Sequence, residues 1–429
     1  MKRFISIFLV IILAAASTTT CIIAENEPPE LKQSIRIDDD TAPDAAMIMQ
    51  ESESNANTVT GAPAQISDDL ATAATEAAAN EQDDLATTAT EAEAQAEDDL
   101  EMLENETQTQ PPEEIAPPMF GFIDAHADTI TRALLRNQGL FRNNIHVDFE
   151  RLFQFGAPVQ VFVLWCADGY VADAFNYTNS LIDFFESEVA KHSDIIEIAL
   201  TLEDMERNAR NNKISAVLSI EGGEALMGDI KNLDHFYDRG VRIMSLTWNR
   251  ENELGYGQAT GDRGGLKPFG IECLKRMEEL GIILDVSHIN EAGFWDAHRL
   301  SSRPYMASHS NSYSVRPHDR NLTDNQIKAI VDSRGIVGLA LYPLILSQNS
   351  IANTSDIMAH IKHFMDLGAV GHLGLGCDLD GFATMPEGLK DVTSLRIIAK
   401  GIAESFGEDA SKNIMSGNFH SFLKRYFDD

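Results

Sequence analysis

The chain has 429 residues and a formal net charge of −34, from 33 Lys and Arg against 67 Asp and Glu. So acidic a chain lacks the basic footprint that nucleic-acid binding needs, which argues against a DNA- or RNA-binding role. The acidity is uneven: residues 25–118 carry −23, whereas the longer stretch 119–429 carries −13.

The first segment, Met1–Ala24, places Lys2 and Arg3 before an apolar run and small residues after it, the pattern of a secretory signal. The run Phe4–Ala16 is short for a membrane span, and an uncleaved anchor reaching Ala24 is the alternative. Thr18-Thr19-Thr20 before Cys21 makes a poor lipobox. Residues 25–118 follow, rich in Ala, Glu, Asp, Thr and Pro. DDLATAATEAAANEQ (68–82) is repeated as DDLATTATEAEAQAE (83–97). High charge and few large apolar residues cannot offset chain entropy, so this segment reads as a disordered acidic linker. Cys166, Cys273 and Cys377 remain after signal removal, an odd number without scaffold spacing, and read as buried thiols.

Residues 119–429 are long enough for one large α/β domain. Short apolar runs occur at 120–123, 159–165, 216–220, 241–246, 282–286, 305–307, 336–341 and 373–376. Between them lie helical-period segments at 172–190, 202–211, 268–280, 291–300, 323–333 and 355–367, with further helix at 395–406 and 410–426. Near-continuous apolar strands alternating with helices imply a parallel sheet. Eight of them suggest a closed (β/α)8 barrel of the TIM type, preceded by the disordered acidic segment. A doubly wound open sheet is the alternative, weakened because no G-x-G-x-x-G follows the first strand.

In such a barrel, chemistry gathers where the strands end. The first run leads into FIDAHADT, where strand alternation would turn Asp124, His126 and Asp128 to one side. An Asp-rich turn capping the next helix is the plainer reading. Glu221 follows the third run, Trp248, Asn249 and Arg250 the fourth, and His288 and His309 the fifth and sixth. Tyr342 follows the seventh, and Asp378 and Asp380 follow the eighth. His126, Asp128, Glu221, His288 and His309 at strand ends on one face point to a metal centre. Imidazole plus carboxylate without thiolate suits zinc, with manganese or iron as alternatives. Five ligands including a carboxylate able to bridge suggest two ions.

The stretches DAHADT, SIEGGE, LDVSH, ASHSNSYSVRPHDRNLTD and LGCDLDGF run in order from Asp124 to Phe382 and resemble the membrane (renal) dipeptidase family of zinc dipeptidases. The resemblance implies a metal-dependent hydrolase barrel with a dinuclear zinc site. His126 and Asp128 match the ligands of one Zn2+, His288 and His309 those of the other, and Glu221 the bridging carboxylate. Asp378 matches the acidic residue that moves the proton of the attacking water to the leaving amine. Arg320 matches the arginine that grips the substrate's C-terminal carboxylate, and Tyr342 a pocket tyrosine. Dipeptide substrates, some with C-terminal D-residues, and a homodimer are further implications. One position departs from the pattern. The mammalian enzymes end the strand-four motif in a substrate-contacting histidine, where this chain has Trp248. Trp has one N–H donor and no acid–base function, so Asn249 or another group must polarise the carbonyl, or the substrate differs.

Two rival readings remain at this stage. Another metal amidohydrolase, a deacetylase or lactonase, would commonly begin H-x-H and use a bridging lysine; this chain has His126-Ala127-Asp128 and Glu221. A surface binding module that kept the barrel but lost turnover is supported by Trp248 alone. The N-terminal pattern places the protein outside the cytoplasm, secreted or tethered to a membrane or cell wall.

Overall fold

The computed structural model describes residues 120–261 and 263–428. The signal and acidic-linker expectations lie outside the described residues. No described helix is long and apolar enough to cross a membrane.

Nine strands occur among the described residues: β1 (Ile123–Ala127), β2 (Val159–Trp165), β3 (Ile196–Ile198), β4 (Ile214–Glu221), β5 (Val241–Ser245), β6 (Ile283–Asp285), β7 (Met306–Ala307), β8 (Ile336–Leu339) and β9 (Leu373–Leu375). Eight of them close a parallel barrel in the order β1-β2-β4-β5-β6-β7-β8-β9, with β9 pairing back to β1. The (β/α)8 expectation holds. Closure leaves the barrel no unpaired edge. The β2–β4 seam is the longest, running in register from Val159↔Ser215 to Trp165↔Glu221.

The ninth strand, β3, was not expected. It pairs with the start of β4 through Ile196↔Ile214 and Ile198↔Ala216 and lies outside the closed ring. Three residues with a glutamate in the middle offer too short an alternation to read from sequence. Helices Thr129–Leu135, Phe149–Phe153 and Ile230–Asp238 were also unpredicted. The helices expected at 268–280, 291–300 and 395–406 have those bounds. The segment expected as one helix over 410–426 is broken: Glu408–Lys412, a π-turn at Asn413–Gly417, then Asn418–Asp428.

Two apolar layers hold the barrel. Outside it, strand residues such as Phe162, Leu164, Leu218 and Met244 pack against the helices. Inside, Ile123, Ala125, Val159, Val161, Val217, Ile243, Ile283, Met306 and Ile336 meet. Phe419, Phe422 and Tyr426, spaced along one face of the last helix, plug the same interior. Gly374 on β9 permits this: a Cβ there would lie 2.3 Å from the Phe419 ring. With its floor filled, the barrel offers open chemistry at the opposite end, where the strands finish.

Strand β1 is where the simple alternation fails. Asp124 pairs with Gln160 and Ala127 with Phe162, so three steps along β1 match two along β2. This bulge inserts one residue and reverses the phase. Ile123 and Ala125 therefore belong to the interior layer, while Ala127 packs in the outer one.

Candidate active site

The bulge divides the trio that strand alternation had grouped. Asp124 is turned away from the site. Its Oδ1 accepts from the Cys377 amide at 2.7 Å and its Oδ2 from Gln160 Nε2 at 2.9 Å. It fastens β1 to β2 and to the loop after β9. His126 and Asp128 face the strand ends, where His126 Nε2 lies 3.5 Å from Asp128 Oδ2 and 3.7 Å from Glu221 Oε1. Glu221, the last residue of β4, also lies 3.0 Å from His288 Nε2 and 3.5 Å from His309 Nε2. All five expected ligands are thus brought together and buried. Asp378 joins them beside His126 and Asp128.

The loops that carry these groups are strained where they must turn sharply. His288, Asp378 and Asp380 have φ of 66°, 59° and 71°. His and Asp are among the few side-chain types that tolerate this region, at a cost of roughly 1–3 kcal/mol each. Gly381 completes the turn. A Cβ on it would lie 2.2 Å from Asp378 Oδ1 and 2.6 Å from Asp128 Oδ2, so only glycine leaves that hollow open.

Three observations test whether a metal fits. His126 Nε2 is buried and has no hydrogen-bond partner. His288 Nε2 and His309 Nε2 stand 2.8 Å apart. The Nδ1 of His288 faces Asn249 Oδ1 at 2.8 Å, which makes that Nδ1 the N–H donor. A lone pair on His288 Nε2 therefore faces the Glu221 carboxylate at 3.0 Å. Such acceptors repel unless a cation lies among them. Finally, three carboxylates, Asp128, Glu221 and Asp378, crowd one buried site, where the acids and Arg320 act on one another and burial opposes their charge. The residues fit a metal.

The electrostatics agree. Burial alone would hold His126 neutral, but Glu221, Asp128 and Asp378 outweigh it and push the imidazole up to about 10. The site demands positive charge at that atom. His288 and His309 are driven well below the ordinary histidine value by burial, with Arg320 and His126 adding to it. They stay neutral and keep their lone pairs free, as ligands must. Burial, with help from Asp128, pushes Asp378 up to about 7, where it can both accept and release a proton.

The remaining expected residues surround this cluster. Arg320 is only 9 % exposed, and its side-chain hydrogen bond among the described residues is a long one, Nη2 to His309 O at 3.4 Å. Most of its donors are therefore uncommitted. Tyr342 senses both Asp378 and Arg320 and stacks on Phe382 with ring centroids 5.6 Å apart. Trp248 is half-buried, 5.1 Å from the Trp165 ring and 6.1 Å from His288. Asn249 differs from expectation: its Oδ1 serves His288 Nδ1 and Gln258 Nε2, so the amide first orients a histidine. Asp380 is a clamp. It accepts from Thr129 Oγ1 at 2.7 Å and from the amides of His146 and Val147 at 2.6 and 3.2 Å.

Sequence reasoning missed Asp285, Ser308 and Gly381. The first two lie inside the LDVSH and ASHS motifs, next to the expected histidines, but their types alone suggested turn residues. Phe382 and Trp165 were missed as well, since an aromatic at a strand end is usually packing. Cys166, Cys273 and Cys377 are free and buried.

Comparison with known proteins agrees with this geometry. Residues 118–425 match the membrane dipeptidase family, peptidase family M19. An uncharacterized protein from the pqqA 5′ region of Klebsiella pneumoniae is 34 % identical over 247 residues, covering 55 % of this chain and 91 % of that protein. The crystal structure of dipeptidase AC, a metallo peptidase of family M19, is 26 % identical with a TM-score of 0.68, over 72 % of this chain and all of that one. A metallo peptidase from Rhodobacter sphaeroides, liganded with a phosphinate mimic of the dipeptide L-Ala-D-Ala, is 25 % identical with a TM-score of 0.65, over 72 % and 99 % of the two chains. A family match across nearly all of the described barrel, on a site built for metal, makes this chain a member of the membrane dipeptidase family and a metal-dependent hydrolase of dipeptides.

Proposed function

We propose that the protein is an exported zinc dipeptidase that uses two ions per chain. Asp128 and His126 would hold one ion, His288 and His309 the other, and Glu221 would serve both. The observation that carries this reading is the convergence of Glu221 Oε1 with the Nε2 atoms of His126, His288 and His309, the first of them buried without a hydrogen bond. When bound, such a pair of ions supplies an acidified water and polarises the scissile carbonyl.

The chain's own residues do the rest. Arg320 presents its planar fork to the C-terminal carboxylate of the substrate, a bidentate contact that lysine cannot make. This places the scissile bond one residue from a free C-terminus and restricts the enzyme to short substrates. Asp378 accepts the proton of the attacking water and passes it to the leaving amine nitrogen. Its pKa, pushed up to about 7 by burial and Asp128, suits both halves of that task. The stacked Tyr342 and Phe382 form an apolar wall beside it. Trp248 occupies the place of the family's histidine, and its indole N–H is the only polar group it offers there.

Acceptance of a C-terminal D-residue is part of the proposal, supported by the L-Ala-D-Ala mimic bound to the Rhodobacter sphaeroides relative. Export is supported by the Met1–Ala24 pattern, two basic residues before an apolar run and small residues after it. Homodimer formation extends the same resemblance.

The test is product release by the full chain from L–L and L–D dipeptides, a tripeptide and an N-acyl amino acid, with and without chelator. Zinc is measured on the same sample. Cleavage of dipeptides alone, abolished by chelation, with about two zinc ions per chain, is the expected result. Bound zinc without dipeptide turnover would favour the binding-module reading that Trp248 supports. Cleavage of the N-acyl amino acid alone would favour a deacetylase.

A further inference from the structure

One hydroxyl group touches two of the proposed ligands from behind. Ser308 Oγ lies 2.8 Å from His309 Nδ1, 3.2 Å from His126 Nδ1 and 2.5 Å from Asp285 Oδ2. Ser287 Oγ is a fourth neighbour, more distant at 3.3 Å. All five residues in this group are buried.

The proton count leaves one arrangement. A serine hydroxyl donates one hydrogen and accepts two. Asp285 can only accept. Its Oδ1 already takes the amides of Ser287 and Ser308 at 2.9 and 2.8 Å, and its Oδ2 faces the hydroxyl. The Ser308 proton therefore goes to Asp285. Both lone pairs of Oγ then remain, and the nearest donors to them are the Nδ1–H of His309 at 2.8 Å and the Nδ1–H of His126 at 3.2 Å, ahead of the Ser287 hydroxyl at 3.3 Å. With a proton held on each Nδ1, Nε2 is the nitrogen of each ring left to offer a lone pair beside Glu221, on His126 once a cation displaces the Nε2 proton. The backbone of Ser308 is itself immobilised. A Cβ at Gly338 or Gly376 would lie 1.9 or 1.7 Å from its carbonyl oxygen, so β8 and the end of β9 close directly against it.

We propose that Ser308, seated on Asp285, is a positioning residue that sets the tautomers of His126 and His309 together and so couples the two zinc sites through one hydroxyl group. The inference rests on the two-zinc reading above. His288 is held separately, by Asn249. The two supports therefore differ in reach: Ser308 serves a ligand of each ion, Asn249 a ligand of one.

The experiment uses the full chain, stripped of metal, in wild-type, Ser308→Ala, Asp285→Asn and Asn249→Ala forms. Zinc affinity and stoichiometry are read by competition with a chromogenic chelator. Loss of such a support usually lowers metal affinity about 10- to 100-fold. Ser308→Ala should weaken both ions by that factor, and Asn249→Ala only one. The isosteric Asp285→Asn change keeps the fold's volume but donates to Ser308 Oγ, turning the serine proton toward His309. In the metal-free protein, 15N spectra of the labelled histidines should then move His309 from the Nδ1–H to the Nε2–H form. Zinc affinities within about twofold of wild type in Ser308→Ala, whatever its melting temperature, would overturn the coupling. If wild type binds no zinc, the two-zinc reading fails, and the His309 tautomer still decides the role of the hydroxyl: an unchanged tautomer in Asp285→Asn refutes it.

Discussion

Replacing Arg320 by lysine isolates the substrate grip from the metal centre. The guanidinium is buried, spends one long hydrogen bond on His309 O, and otherwise faces Asp378 and Glu221. In the proposed complex it makes two parallel N–H···O contacts with the substrate carboxylate. Lysine keeps the charge but can make only one. A hydrogen bond to a charged group contributes about 1.5–3 kcal/mol, so Arg320→Lys should lower kcat/KM about 10- to 150-fold. The contact exists in the ground state and the transition state alike, so most of the loss should appear in KM. The assay compares a dipeptide with the same dipeptide amidated at its C-terminus. The amide lacks the carboxylate, so its already low kcat/KM should change less than about threefold on the substitution. Equal losses on both substrates would refute the carboxylate-gripping role and leave Arg320 as a counter-charge for the buried acids.

Trp248→His restores the donor found in the family's mammalian enzymes and should raise kcat on the order of 10²-fold, with metal content unchanged; an unchanged or lower kcat would show that the indole, packed on Trp165, has its own task. Asp380→Ala strands the part-buried amide of His146 and the buried amide of Val147, at about 1–3 kcal/mol each, and should cost about 2–6 kcal/mol in urea unfolding. A loss below about 1 kcal/mol would mean that the loop has another anchor. Asp391 tests pH dependence. Burial opposes its charge, but Thr393 and Arg151 outweigh burial and hold its carboxyl below the ordinary value. A depressed folded pKa stabilises the protein above the unfolded pKa, about 4, and that contribution fades as pH falls through the folded value. The stability gap between wild type and Asp391→Asn should therefore be constant from about pH 7 to 5 and shrink below about pH 4. A gap that does not vary with pH would contradict this.

The sequence by itself determined the barrel and singled out the five ionisable residues that the fold gathers at the strand ends. Apolar runs alternating with helical-period segments are a local signal, and a parallel sheet buried on both faces writes it strongly. His126, Asp128, Glu221, His288 and His309 were legible because ionisable residues seldom follow buried strands without a reason. Folding confirmed their convergence, through distances of 3.0 to 3.7 Å about Glu221 Oε1 and His126 Nε2. What only the tertiary structure decided was which side chains turn inward and which atoms touch. The bulge in β1 sent Asp124 to the β9 loop and His126 to the site, although alternation had put them together. A bulge depends on the register with the neighbouring strand, 36 residues away for Gln160, and leaves no mark in the local pattern. Asn249 became the partner of His288, and Ser308 the shared support of His126 and His309, for the same reason. Small polar residues say nothing of their partners until barrel closure brings distant strand ends within hydrogen-bond reach.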